Sequence, residues 1–319
     1  FEVRNPAMAT VGGSIASNAS GHRQSSTGGI RDWVIGMQVA LADGTITKSG
    51  GRVVKNVQGY EMHRLHTGAF GTLGIVSQVA FKLLPIPPEQ QSVIAWFDNQ
   101  DTAQDVGMSF VNGLFAPEAI SLIHGPATQQ VLIEAGETYT NDEAWVLAIR
   151  LGGGVRSVER QVNEVVGASG ANGATGYAVL SDIDASAMWT KLEETETKSR
   201  TIIRMTSRTS NALAASHEIA TSNIKGEKWV STVCDLGFGA VTVVADLPND
   251  AESLQFINST VHTIKKHQGS YLIEKCPLDV KHGMDVFSDV GNSIDLMRRI
   301  KNQYDPSRIL NPGRFVGKI

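Results

Sequence analysis

The spacing of apolar residues changes character along the chain, and each change marks a boundary. Residues 33–41 run apolar or alternate, 42–45 read Ala-Asp-Gly-Thr, and 46–48 return. That is a hairpin, because Asp43-Gly44 supplies the positive φ that a tight turn needs. Residues 75–84 alternate as a half-buried strand does, and Pro85, Pro87 and Pro88 then stop regular structure. Residues 1–90 therefore read as short strands and turns with little helix.

From Ser92 the grammar is different. Strands are predicted at 92–97, 119–124, 144–151 and 177–180, and a helix at 102–114. Val155, Val158, Val162 and Val165 fall at helical spacing. A second round follows, with helices at 212–221 and 251–267 and strands at 229–233, 240–245 and 270–275. Strand–helix–strand twice over predicts an α+β fold, an antiparallel sheet with helices on one face, as in ferredoxin-like folds. Residues 290–304 read as a closing helix ended by Asp305-Pro306. The expected division is 1–90, 91–289 and a returning segment 290–319.

Composition narrows the classes. A chain of 319 residues with 41% hydrophobic and 19% charged residues is ordinary for a globular protein of two domains. A net charge of −4 gives no support for nucleic-acid binding. Cys234 and Cys276 lie far apart, which argues against a disulfide framework, a structural zinc site or a cysteine-ligated iron–sulfur cluster; both read as inert buried thiols. No apolar run approaches the roughly 18 residues of a spanning helix. No charged segment followed by an apolar one opens the chain, so no signal peptide is expected.

The candidate chemistry lies in the run from Asn5 to Gly21, which has almost no bulk. Gly12 and Gly13 leave bare backbone N–H groups for a phosphate or ribityl oxygen, and Thr10, Ser14, Ser17 and Asn18 add short polar groups. By itself the run reads equally as a cofactor cradle and as an ordinary Gly/Ser loop.

Three later segments stand in order behind it: Gly29-Ile30-Arg31-Asp32-Trp33-Val34 running to Asp43-Gly44-Thr45; Lys55-Asn56-Val57-Gln58-Gly59-Tyr60 running to Gly68-Ala69-Phe70-Gly71-Thr72-Leu73-Gly74-Ile75-Val76; and Asp305-Pro306-Ser307-Arg308-Ile309-Leu310-Asn311-Pro312-Gly313-Arg314-Phe315. Together the four resemble the FAD-binding domain of the vanillyl-alcohol-oxidase, or PCMH, type, and within it most closely the E subunits of bacterial glycolate oxidases. The resemblance covers 1–90 and 290–319. It implies a PCMH-type FAD-binding domain (its second subdomain) and a ferredoxin-like antiparallel α+β cap that covers the flavin ring. It also implies an earlier subdomain with a second Gly-rich pyrophosphate loop, which this sequence, entered at Phe1, is expected to lack.

By that resemblance Thr10, Gly12, Gly13, Ser14, Ala16, Ser17 and Asn18 contact the pyrophosphate, ribityl and isoalloxazine edge of FAD. Gly74, Ile75 and Val76 match the segment whose backbone pairs with the adenine or flavin edge, against a plain turn role for Gly71 and Gly74. Asn311 is implied as a cofactor neighbour, and Arg314 reads as a surface residue. The resemblance favours Arg31-Asp32 as a buried brace beneath the cofactor over an exposed pair. Lys55 and Tyr60 stand equally as a cation and phenol near the flavin and as a solvated lysine and a core tyrosine.

The eight histidines are scattered. His63 and His66 share a face if helical, but no carboxylate sits at matching spacing, so no metal site is expected. In the catalytic glycolate oxidase subunits and D-lactate dehydrogenases a cap histidine pair and a Glu-His-Gly segment serve substrate and metal. No Glu-His-Gly occurs here, and no catalytic residue is assigned.

The resemblance thus implies an FAD-binding subunit working with a catalytic flavoprotein subunit and an iron–sulfur subunit in 2-hydroxy acid (glycolate) oxidation. The implied location is cytoplasmic, with at most peripheral association with the inner membrane. Two alternatives stand beside it: a stand-alone FAD-dependent oxidase or dehydrogenase of another alcohol or hydroxy acid, and a scaffold that lost the flavin.

Overall fold

A computed structural model describes residues 2–55, 59–137, 143–222 and 230–319. The chain divides into two units, Phe1–Pro85 with Phe287–Ile319, and Ile86–Val286.

Unit 1 begins with three short helices, α1 (Val11–Ser17), α2 (Gln24–Thr27) and α3 (Ile30–Trp33). Strands β1 (Val34–Ala40) and β2 (Ile46–Gly50), a one-turn helix α4 (His63–His66) and strand β3 (Ile75–Phe81) follow. The sheet order is β2-β1-β3, antiparallel throughout. The Asp-Gly turn forms as its chemistry requires: Gly44 sits at φ 83°, and the Asp43 carboxylate accepts the Thr45 N–H at 2.9 Å. Ile15 and Ile30 from the helices pack on Val34, Met37 and Val39 of β1. The expectation of little helix fails at residues 11–17. Thr10 caps a full turn there, its Oγ1 accepting the Gly13 N–H at 3.0 Å, and Ile15 buries completely against the sheet. Burial of one face outweighs the helix cost of two glycines.

Unit 2 contains β4 (Glu89–Phe97), α5 (Gln100–Val111), β5 (Ala119–His124), α6 (Pro126–Glu134), β6 (Trp145–Gly153), α7 (Val155–Ala171) and β7 (Gly176–Leu180). It continues with α8 (Asp182–Lys198), β8 (Thr201–Thr206), α9 (Thr209–Thr221), β9 (Val230–Asp235), β10 (Ala240–Ala245), α10 (Asp250–Lys266), β11 (Ser270–Lys275) and a single turn, α11 (Leu278–Lys281). The strands form one sheet of order β11-β8-β10-β9-β5-β6-β4-β7, every pair antiparallel. This order resolves into two copies of one arrangement. In β4–β7 the second, third, first and fourth strands lie side by side, and β8–β11 repeat that order. The copies meet edge to edge through their second strands, β5 and β9.

The expected single helical layer is corrected. Inward residues of β4, β5 and β6 alternate between two cores. Val93, Leu122 and Leu147 join α5, α7, α9 and α10 on one face. Ile94, Ile123 and Val146 join α6 and α8 on the other. A sheet apolar on both faces needs cover on both, and α6 and α8 provide the second layer. The last helix, α12 (Ser293–Tyr304), belongs to unit 1. Among the described residues no helix is long and apolar enough to cross a membrane.

Candidate functional site

The Gly-rich run is built from α1 outward. Residues 6–13 are exposed, with the Met8 and Ala9 N–H groups donating to Asn5 O and that of Gly13 to Thr10 Oγ1. A Cβ placed on Gly12 would meet nothing within 4 Å, whereas one on Gly13 would stand 2.9 Å from Thr10 Oγ1. The open side of α1 is therefore at Gly12, where a bulky polar group can approach without displacing protein atoms.

The C-terminal end of α1 is occupied by protein. Gly68 N donates to Ile15 O at 2.9 Å, and Phe70 N donates to Ala16 O at 2.8 Å. Ser17 Oγ donates to Gly13 O at 2.8 Å. Asn18 takes the left-handed conformation at φ 53°, and its Oδ1 accepts the Arg31 N–H at 3.2 Å. Ser14 is buried. Of the predicted contacts, Thr10, Gly12 and Gly13 face outward, while the Ser17 and Asn18 side chains hold the turn.

Residues 68–74 carry the second predicted group. Gly68, Phe70 and Gly71 have φ of 82°, 52° and 69°, so the segment folds back on α1 in a left-handed run. At Gly71 a Cβ would stand 2.7 Å from Asn311 Nδ2, and that amide donates to Phe70 O at 2.8 Å. At Gly74 it would stand 2.3 Å from Val39 Cγ1. Both glycines thus serve close packing, and Asn311 spends its amide nitrogen on the turn. Ile75 stays 62% exposed at the head of β3, beside half-buried Val76.

Beneath this turn lies an ion pair that the sequence reading missed. The Lys301 ammonium donates to Thr72 O and Leu310 O at 2.8 Å and to Asp305 Oδ2 at 2.6 Å. Asp305 also accepts the Leu310 and Ile309 N–H groups. Burial pushes its carboxyl up, but the Lys301 bond and the two backbone donors outweigh that and hold it below the usual range. Lys-x-x-x-Asp at the end of a helix was the available signal.

Two expectations change. Arg31 and Asp32 are exposed rather than buried, and Asp32 Oδ2 accepts the Gly29 N–H at 3.0 Å, so Asp32 caps α3 and the expected buried brace is not found. Tyr60 is 90% exposed, which removes the core-tyrosine alternative. Asn56, Val57 and Gln58, and with them the middle of the Lys55–Tyr60 motif, lie outside the described residues, as does Trp229 of the predicted 229–233 strand.

Unit 2 brings together a cluster with no sequence signal. The His124 ring at the end of β5 lies 4.3 Å from that of Trp145, and the His217 ring lies 6.2 Å beyond on roughly parallel planes. His217 Nδ1 meets Gln100 Oε1. Burial, reinforced by His217, brings His124 down to about 4, so its imidazole is neutral at physiological pH. Among the described residues no group of three histidine, cysteine or acidic side chains is placed to hold a metal ion. Burial raises both thiols; Cys234 is buried as expected, whereas Cys276 is only half-buried.

Known proteins complete the picture. A model described as FAD binding domain matches residues 1–50, and one described as FAD linked oxidases, C-terminal domain matches 289–315. The chain is 25% identical to glycolate oxidase subunit GlcD of Bacillus subtilis over 98% of its own length and 69% of that protein. It is 34% identical to glycolate oxidase subunit GlcE of Escherichia coli, over 31% of this chain and 28% of that one. Further relatives are D-lactate dehydrogenases. The structure of an alkyldihydroxyacetonephosphate synthase superposes with a TM-score of 0.65 at 16% identity, over 96% of this chain and 59% of the synthase. That likeness carries the fold, and the FAD-binding match gives FAD as the cofactor.

Proposed function

We propose that this chain, an FAD-linked oxidoreductase with the PCMH-type fold and with glycolate oxidase subunits and D-lactate dehydrogenases as homologues, takes part in oxidising a small 2-hydroxy acid. One observation carries the reading: the segment matched as an FAD-binding domain contains the exposed backbone of Thr10, Gly12 and Gly13 with open space at Gly12. These residues hold the phosphates and ribityl chain, and Ile75 and Val76 at the head of β3 line the cofactor's edge. The flavin, when bound, supplies the two-electron chemistry; the protein binds and orients it. In this reading the chain takes the place of the E subunit, beside a catalytic flavoprotein subunit and an iron–sulfur subunit, in the cytoplasm or peripheral to the inner membrane.

The D-lactate dehydrogenase homologues favour a second reading, a dehydrogenase that needs no partner. Flavin content tests the common part. The purified chain is incubated with FAD, desalted and scanned; about one flavin per chain is expected, and a colourless protein defeats both readings. Anaerobic addition of glycolate or D-lactate then separates them. Bleaching of the flavin in the isolated chain selects the second reading, and bleaching only after the partner subunits are added selects the first.

A further inference from the structure

Asn-Gly occurs twice in the chain, at Asn112-Gly113 and Asn172-Gly173, and each asparagine caps the C-terminal end of a helix in unit 2, α5 and α7. The dipeptide is chemically labile. Glycine has no side chain to shield its amide nitrogen, which reaches the preceding side-chain carbonyl carbon once the backbone turns. In both pairs the glycine N–H makes only a long bond back to its helix, at 3.4 Å to Phe110 O and to Gly170 O. The two differ in what else opposes the turn.

At Asn172 the chain is tied on both sides. Asn172 Nδ2 donates to Ala168 O at 2.8 Å, and Ala174 N donates to Ser169 O at 3.0 Å. Thr175 N and Thr175 Oγ1 then both donate to Trp96 O, at 2.9 and 3.2 Å, and β7 begins at once, paired with β4. At Asn112 little opposes the turn. Asn112, Gly113 and Leu114 are exposed, Leu114 by 99%. Among the described residues the Asn112 side chain makes no hydrogen bond, and the Leu114, Phe115 and Ala116 N–H groups make no backbone bond. The next such bond is Glu118 N to Arg150 O at 2.7 Å.

We propose that Asn112 is a site of spontaneous deamidation, selected over Asn172 by the fold. The Gly113 nitrogen bonds to Asn112 Cγ, the Cγ–Nδ2 bond breaks, and ammonia leaves with the proton of the Gly113 amide. Water then opens the five-membered imide at either carbonyl, leaving aspartate or isoaspartate at position 112. The product places a negative charge at the end of α5, where the helix dipole is already negative. The isoaspartyl form also adds a carbon to the main chain between Phe110 and Phe115, whose rings stack at 6.5 Å. The site lies outside the FAD cradle and does not depend on the proposed function.

The test is peptide mapping by mass spectrometry after incubating the folded chain at mildly alkaline pH, which favours loss of the amide proton. The Asn112 peptide is expected to gain the mass of an amide-to-acid conversion at least about tenfold faster than the Asn172 peptide. In concentrated urea the two rates should converge, because the bonds that hold Asn172 are gone. Asn112→Gln, at an exposed position, should keep the fold by circular dichroism and lose the conversion, since glutamine would have to close a larger ring. An unconverted Asn112, equal rates in the folded chain, a gap that persists unchanged in urea, or undiminished conversion at position 112 in the folded Asn112→Gln variant overturns the proposal.

Discussion

Lys301 and Asp305 close on each other at 2.6 Å with side chains 5% and 0% exposed, and the ammonium's other two bonds go to the carbonyls of Thr72 and Leu310. One buried cation therefore ties α12 to the turn after residue 68 and to the segment that carries Asn311. A buried charge pair does little for net stability, but breaking it leaves an uncompensated charge in an apolar surrounding.

Lys301→Met is accordingly expected to destabilise unit 1 by about 3–5 kcal/mol, since Asp305 loses its counter-ion. Urea unfolding measures this. The double variant Lys301→Met with Asp305→Leu should recover part of the loss, and a cycle of the four proteins gives the coupling.

Two glycine substitutions should separate cofactor binding from folding. Gly12→Val adds bulk where a Cβ meets open space, so thermal unfolding stays near that of the parent while FAD retention after desalting falls at least about tenfold. Gly74→Ala drives a Cβ to 2.3 Å from Val39 Cγ1 and is expected to lower the melting temperature itself.

Glu218 links two helices of unit 2. It accepts Lys266 Nζ at 2.7 Å and His267 Nε2 at 2.9 Å, and those bonds lower its carboxyl to about 2. A depressed carboxyl stabilises the fold above its unfolded value and loses that contribution as pH falls toward 2. Acid titration of stability should therefore show a loss below about pH 4.5 that Glu218→Gln removes. The carboxylate is about a third exposed, so added salt should shrink the effect.

The His124 imidazole is expected to stay neutral from pH 8 to about pH 5, because burial lowers its value to about 4. Its ring C–H resonance should be flat across that range in an NMR titration. The lowered value also means that the fold gains from neutral His124 above about 6.5 and loses that gain as pH falls toward 4. His124→Phe keeps a ring against Trp145 and should flatten the acid limb.

Trp189 Nε1 donates to Ser92 Oγ at 3.0 Å inside the second core, with Ser92 fully buried. Trp189→Phe strands that hydroxyl and is expected to cost about 1–3 kcal/mol in denaturant unfolding. Adding Ser92→Ala should return part of it, because both polar partners are then gone.

Where local chemistry decides, the sequence was readable. The hairpin at Asp43-Gly44 formed because Gly44 takes φ of 83° without a Cβ penalty, and the twice-repeated strand–helix–strand pattern became two copies of one arrangement. The helix at Val11–Ser17 was missed because its stability comes from burying Ile15, not from its glycines. α8 was missed because its polar face masks the spacing of Ala185, Met188, Trp189 and Leu192. At the site, the bareness of Gly12 was legible, while the work of Gly71, Gly74 and Asn311 was not. Their partners, Asn311, Val39 and Phe70, lie far along the chain from them.

Unit 2 is one uninterrupted stretch, Ile86–Val286, set between the two parts of unit 1. During synthesis its eight strands can all pair with one another as soon as Lys275 has emerged, the last of them being β11. Unit 1 has to wait. Residues 1–85 precede unit 2, but the lysine beneath their turn and the amide that steadies Phe70 arrive only with residues 301–311, after it. The groups that steady residues 68–74 are thus made only after the whole of unit 2.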